Sequence, residues 1–101
     1  MAESRLQRRI RGALEERFEG SFWFKVHGNR YTPIGMPDLL GCVEGYYCAL
    51  EIKVLGKEPT PIQYTRMEQL KDAGAIVGWV NNVEDAVDLI RQSIREKQEG
   101  S

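Results

Sequence analysis

Leu6, Ile10, Leu14 and Phe18 recur every four residues, with Ala13 beside them, and predict a helix over residues 3–19. Ser4 and Gln7 have the spacing of a capping box, and Gly20 suits the helix stop. An aromatic-rich strand follows over residues 22–26. Residues 27–36 read as a loop, broken by Gly28, Asn29, Pro33 and Gly35. Apolar runs at 38–43 and 46–54 predict two more strands, separated by the turn signal Glu44-Gly45. After a polar stretch over 55–59, Thr60 suits an N-cap and Pro61 a first helical position. They open a helix to about residue 73, and Gly74 ends it. Residues 76–80 form a fourth strand. Asn82 caps a last helix from residue 83, with Val87, Ile90 and Ile94 on its inner face; residues 96–101 read as a frayed polar tail.

The order α-β-β-β-α-β-α predicts an α/β fold built on one mixed sheet. Strands two and three form an antiparallel hairpin, strands three and four flank a helix as in a crossover, and helices cover both faces. One domain over residues 1–101 accommodates the whole pattern, with no repeat, linker or low-complexity segment.

The hairpin carries the most information. With Glu44 and Gly45 as a two-residue turn, Val43 faces Tyr46 and paired residue numbers sum to 89. Asp38 then faces Glu51, with both carboxylates on one side of the sheet. Lys53 shares that side, two residues further along. Like charges in opposition destabilise a sheet, and a divalent cation relieves the repulsion; hard oxygen donors suit Mg²⁺ or Mn²⁺. The alternative is that each acid is solvated, or that one pairs with Lys53. The neighbours Leu39, Leu40, Val43, Ala49, Leu50 and Ile52 are apolar on both faces, and strands buried on both sides rarely carry charge without purpose. The same register puts Cys42 opposite Tyr47 and Cys48 opposite Gly41, on different faces, so these two cysteines cannot form an internal disulfide.

Composition narrows the classes. The chain has 101 residues, 42% hydrophobic and 29% charged, as expected for a globular domain. Fourteen Lys and Arg against fifteen Asp and Glu give a net charge of −1, so polyanion binding must rest on local clusters or on metal ions. Two cysteines and one histidine are too few for an ordinary structural zinc site. No apolar run approaches a membrane span, the charged N-terminal twenty residues are no secretory signal, and a cytoplasmic location with free thiols is expected.

Gly35-Met-Pro-Asp38, a twelve-residue gap and Glu51-Ile-Lys53 resemble the signature of PD-(D/E)XK nucleases. The sequence is most similar to VRR-NUC domains, the virus-type replication-repair nucleases: a Glu on the first helix (Glu3), G-x-P-D-L (Gly35 to Leu39), E-x-K, and a Gln opening the next helix (Gln63). The resemblance spans residues 3 to about 80. It implies a restriction-endonuclease-like αβββαβα core and metal-dependent hydrolysis of DNA phosphodiester bonds. Asp38, Glu51 and the backbone carbonyl of Ile52 would hold Mg²⁺ or Mn²⁺, and Lys53 would orient water or stabilise charge in the transition state. Stand-alone domains of this kind in phages and bacteria imply a structure-selective endonuclease of replication or repair, acting as a homodimer.

Two further residues carry double readings. Glu3 is either an acid favoured by the helix macrodipole or part of the metal site. Gln63 completes a Thr60-x-x-Gln63 capping box and also fits the family's active-site Gln. Arg5, Arg8 and Arg9 on one side of the first helix, with Lys25 and Arg30 flanking the loop, are candidate phosphate contacts; a solvated helix face is the alternative. Tyr64 is read first as a core residue and His27 as a surface one. The group Phe22, Trp23, Phe24, Tyr46, Tyr47 and Trp79 exceeds what a small core hides, which predicts an interface. Two other functions compete: a non-catalytic nucleic-acid-binding module on the same fold, and a domain unrelated to nucleic acid.

Overall fold

The computed structural model describes residues 2–100. The elements are α1 (Ala2–Arg17), β1 (Phe22–Lys25), β2 (Leu39–Val43), β3 (Tyr46–Ile52), α2 (Pro61–Asp72), β4 (Ile76–Val80) and α3 (Val83–Glu99). They form a four-stranded mixed sheet in the order β1-β2-β3-β4. The first three strands are antiparallel neighbours, and β4 runs parallel to β3, as a crossover through α2 requires.

The predicted register is the observed one: Val43 pairs with Tyr46, Gly41 with Cys48 and Leu39 with Leu50. The turn explains it. Glu44 (φ 52°) and Gly45 (φ 86°) both lie in the left-handed region, the backbone of a type I′ hairpin, whose twist matches that of the strands. Cys42 is exposed and Cys48 buried, and both thiols are free. Burial pushes the Cys48 thiol up to about 12, so it packs as a small apolar group.

Alternation along the strands divides the sheet into two faces. On the inner face Trp23, Leu39, Val43, Cys48, Leu50, Ile52, Ile76 and Val80 pack against Ile10 and Leu14 of α1, against Phe18 just beyond its end, and against Ala86, Val87, Ile90 and Ile94 of α3. Gly41 is required here, because a Cβ at that position would lie 2.4 Å from Cε3 of Trp23 and 2.5 Å from the Phe22 carbonyl. On the outer face α2 covers the β4 side through buried Met67. The β1–β2 side of that face is open, with Phe22 66%, Phe24 44% and Tyr47 45% exposed.

Several local expectations are corrected. α1 already runs at Ala2, so Ser4 lies within the helix and makes no capping box with Gln7, which is buried instead. β1 stops at Lys25 and β3 at Ile52, short of residues 26 and 54. The polar stretch from Glu96 continues α3 to Glu99; Ser101 lies outside the described residues. β2 is not covered on both sides: Leu40 is half-buried and Cys42 exposed on the outer face. The other caps form as read. Thr60 and Gln63 make both bonds of a capping box, and Asn82 accepts from the Asp85 amide at 2.8 Å.

Candidate active site

The acids sit at the open end of the hairpin, on the outer face of the sheet. Glu51 belongs to β3, between β2 and β4, with Trp79 as its partner on β4. Central placement leaves it 1% exposed. Asp38 lies one residue before β2, and the backbone there is ordered by the sequence Pro37-Asp38. Pro37 has no N–H to extend the ladder. The Asp38 carbonyl accepts from the Val26 amide at 2.8 Å, and its carboxylate turns inward to accept from the Ile52 amide at 2.9 Å. Asp38 is therefore fixed by one bond to each neighbouring strand segment.

Lys53 follows β3 directly. Its amide donates to the Val80 carbonyl at 3.0 Å, and its Nζ stands 3.5 Å from Oε2 of Glu51. The other carboxylate oxygen, Oε1 of Glu51, is buried with no hydrogen-bond donor, the one such side-chain atom among the described residues. Burial raises the Glu51 pKa from 4.5 to about 8. The Asp38 carboxylate adds to the rise, both by its charge and by accepting from the protonated form, and Lys53 opposes it. A buried carboxylate with one oxygen unpartnered and a second acid beside it fits a hard cation: an oxygen-seeking ion satisfies Oε1 and screens both charges at once.

The loop that delivers Asp38 is built from its own polar groups. The Asn29 side chain accepts from the Tyr31 amide at 2.8 Å, and its carbonyl accepts from the Thr32 amide at 3.1 Å. Residues from Val26 to Asp38 surround an open hollow of about 270 Å³, with Asp38 on its wall. Gly35 (φ 84°) abuts the first turn of α2, where a Cβ would lie 3.0 Å from the Ile62 carbonyl.

The structure brings Asp38, Glu51, Ile52 and Lys53 together. Gln63 stands at the start of α2, where its Oε1 accepts from the Thr60 amide at 2.9 Å. Glu3 is exposed in the first turn of α1, and no group of three His, Cys, Asp or Glu side chains that could hold a metal ion occurs among the described residues. Arg5, Arg8, Arg9, Lys25 and Arg30 are exposed; Arg30 donates to the Tyr31 hydroxyl at 2.7 Å and lies over its ring. His27 is exposed too, and Tyr64 is 42% exposed rather than a core residue. Sequence reasoning did not single out Arg66, whose Nε donates to the Ile34 carbonyl at 2.9 Å. No local signal announces a bond between residues 32 positions apart.

The αβββαβα order and the four-stranded mixed sheet, with two acids at the open end of its hairpin, are the architecture of the solved structures to which the chain is similar. The chain is similar to a solved "VRR_NUC domain", with 29% identity and a TM-score of 0.66 over 88% of this chain and 94% of the other. A "VRR_NUC domain protein" matches at 20% identity and TM-score 0.67, over 92% and 88%. The Hjc protein of Archaeoglobus fulgidus, a Holliday junction resolvase from an archaeal hyperthermophile, matches at 18% and TM-score 0.61, over 78% and 67%. The latter two likenesses are of fold alone. The chain has the architecture of VRR-NUC domains, as its G-x-P-D-L and E-x-K segments led one to expect. No family model and no curated protein matches it. Among the described residues no helix is long and apolar enough to cross a membrane.

Proposed function

We propose that this protein is a metal-dependent DNA endonuclease, read as one domain over residues 1–101. The observation that carries the reading is buried Glu51 beside half-buried Asp38, with Oε1 of Glu51 unpartnered and the Lys53 ammonium alongside. Asp38, Glu51 and the Ile52 carbonyl would hold Mg²⁺ or Mn²⁺. When bound, such an ion supplies Lewis acidity to a phosphate oxygen and makes water a stronger nucleophile. The remaining work falls to the chain. Lys53, 14% exposed at its side chain, presents a compact positive charge where a scissile phosphate would meet the acids. The Ile52 amide holds Asp38 in place, so the carboxylate need not be ordered when substrate arrives. Gln63 spends its side-chain oxygen on the α2 cap, which leaves its amide nitrogen for substrate or water. Glu3 would act from the first turn of α1, and Arg5, Arg8, Arg9, Lys25 and Arg30 would contact phosphates.

The Archaeoglobus neighbour is a Holliday junction resolvase, which supports a branched, structure-selective substrate. The setting in this reading is phage or bacterial replication or repair, in the cytoplasm. The open aromatic patch of Phe22, Phe24 and Tyr47 favours a homodimer. The test is cleavage of supercoiled and branched DNA with Mg²⁺ or Mn²⁺, using wild type and Asp38→Asn, which keeps an acceptor for the Ile52 amide. Wild type should cut and the variant should lose at least 100-fold in rate. Equal cutting by both would overturn the site. DNA binding without cutting under every divalent ion would favour the non-catalytic module.

A further inference from the structure

The geometry points to Arg66 as a positioning residue that holds Asp38 in register by clamping its loop to α2; this rests on the site proposed above. The guanidinium bridges two elements. Nε donates to the Ile34 carbonyl at 2.9 Å, and Nη1 donates to Oε1 of Gln69, one turn further along α2, at 3.0 Å. The second bond fixes the planar fork, so the first is aimed rather than floppy. Ile34 lies four residues before Asp38, and its own side chain is 76% exposed, so packing does little to hold it. Gly35 follows, close enough to α2 that a Cβ there would lie 3.0 Å from the Ile62 carbonyl. Chain direction then passes through Met36 and Pro37, whose ring limits backbone freedom, to the carboxylate that accepts from Ile52. Loosening the loop at Ile34 is therefore transmitted to Asp38 through a short, stiff segment. Arg66 contacts neither acid and is distinct from the phosphate-binding arginines proposed on α1 and in the loop.

The alternatives for an arginine near such a site are a phosphate contact and a purely stabilising surface bond. Three measurements on Arg66→Ala and Arg66→Lys separate them. The first is hydrogen exchange of the Ile52 amide in metal-free protein, since that N–H is bonded to the Asp38 carboxylate. Positioning predicts about 5- to 10-fold faster exchange in both variants, as one hydrogen bond's worth of hold is lost. Lysine does not rescue, because it lacks the fork. The second is Mn²⁺ affinity by calorimetry, expected to weaken by a similar factor. The third is the salt dependence of DNA binding, expected to be unchanged. Unaltered Ile52 exchange in Arg66→Ala overturns the proposal, whatever happens to melting temperature. A shallower salt slope, rescued by lysine, with wild-type Mn²⁺ affinity makes Arg66 a phosphate contact and also overturns it. Wild type that binds no Mn²⁺ refutes the metal site itself, and the exchange result still decides the clamp.

Discussion

Glu51→Gln should make the metal-free protein more stable while abolishing its response to metal. Folding raises the pKa of this carboxyl from 4.5 to about 8, because the folded chain buries it beside Asp38. The unfolded chain thus releases the proton first as pH rises. The stability associated with the neutral carboxyl is fully present below about pH 4.5 and is lost progressively up to about pH 8. At pH 7.5 the loss is on the order of 4 kcal/mol for a group only 1% exposed. Glutamine mimics the protonated acid: its amide donates toward Asp38 and its oxygen accepts from Lys53. Weakening the 3.5 Å contact between Lys53 and Glu51 offsets part of the gain. The net expectation is about 1–3 kcal/mol at pH 7.5, or roughly 4–8 °C in melting temperature per kcal/mol for a domain of this size. Thermal or urea denaturation in a chelator, at several pH values, measures it. The two proteins should converge near pH 4.5 and separate as pH rises. Adding Mg²⁺ or Mn²⁺ at about 100 times its dissociation constant should stabilise wild type by about 2.7 kcal/mol and leave the variant unmoved. A variant less stable than wild type by the same amount at every pH would refute the reasoning.

Two other substitutions test the sheet's faces. Gly41→Ala drives a Cβ to 2.4 Å from the buried Trp23 ring and 2.5 Å from the Phe22 carbonyl, and should lower stability by about 2–4 kcal/mol in urea titration; a loss below 0.5 kcal/mol would mean that β1 yields freely. The double change Phe22→Ser and Phe24→Ser removes two exposed rings 6.1 Å apart, and should convert a dimer to a monomer in sedimentation at micromolar concentration with little change in fold. A wild-type monomer at that concentration would instead leave the open face without a partner copy.

The acids were legible because two local signals agreed. A two-residue turn fixes register, and a strand's period of two fixes face, so the spacing of Asp38 and Glu51 about Glu44-Gly45 determines that they share a side. Caps were legible where a capping side chain stands directly before the helical pattern, as at Thr60, with Pro61 at the first helical position, and at Asn82. The start of α1 was not, since Ser4 is compatible with both a cap and a helix interior. The end of α3 was missed for a similar reason: its last turns are polar, and only a capping view of Gly100, whose amide donates to the Glu96 carbonyl, reveals the helix there. Burial of Glu51 was only partly readable. Its flanks are apolar, but the enclosure depends on β4 and Trp79, which arrive through a crossover some twenty-five residues later. The clamp from Arg66 to Ile34 and the hollow beneath the loop have no local pattern at all.

The position of Glu51 explains why its charge is costly and why the reading proposed above makes it a metal ligand. β3 is hydrogen-bonded on both edges, so its backbone cannot shift to carry the carboxylate into water. Asp38 cannot retreat either, because the Val26 and Ile52 amides hold it. Lys53 meets only one oxygen of the acid, at 3.5 Å, and leaves Oε1 without a partner. A proton relieves the repulsion at low pH, and a divalent cation relieves it by satisfying both carboxylates. In the proposed metal site, proton and cation would therefore compete for one rigid pair of acids, and the rigidity that makes the paired charge costly would spare a bound cation the entropy of assembling its ligands.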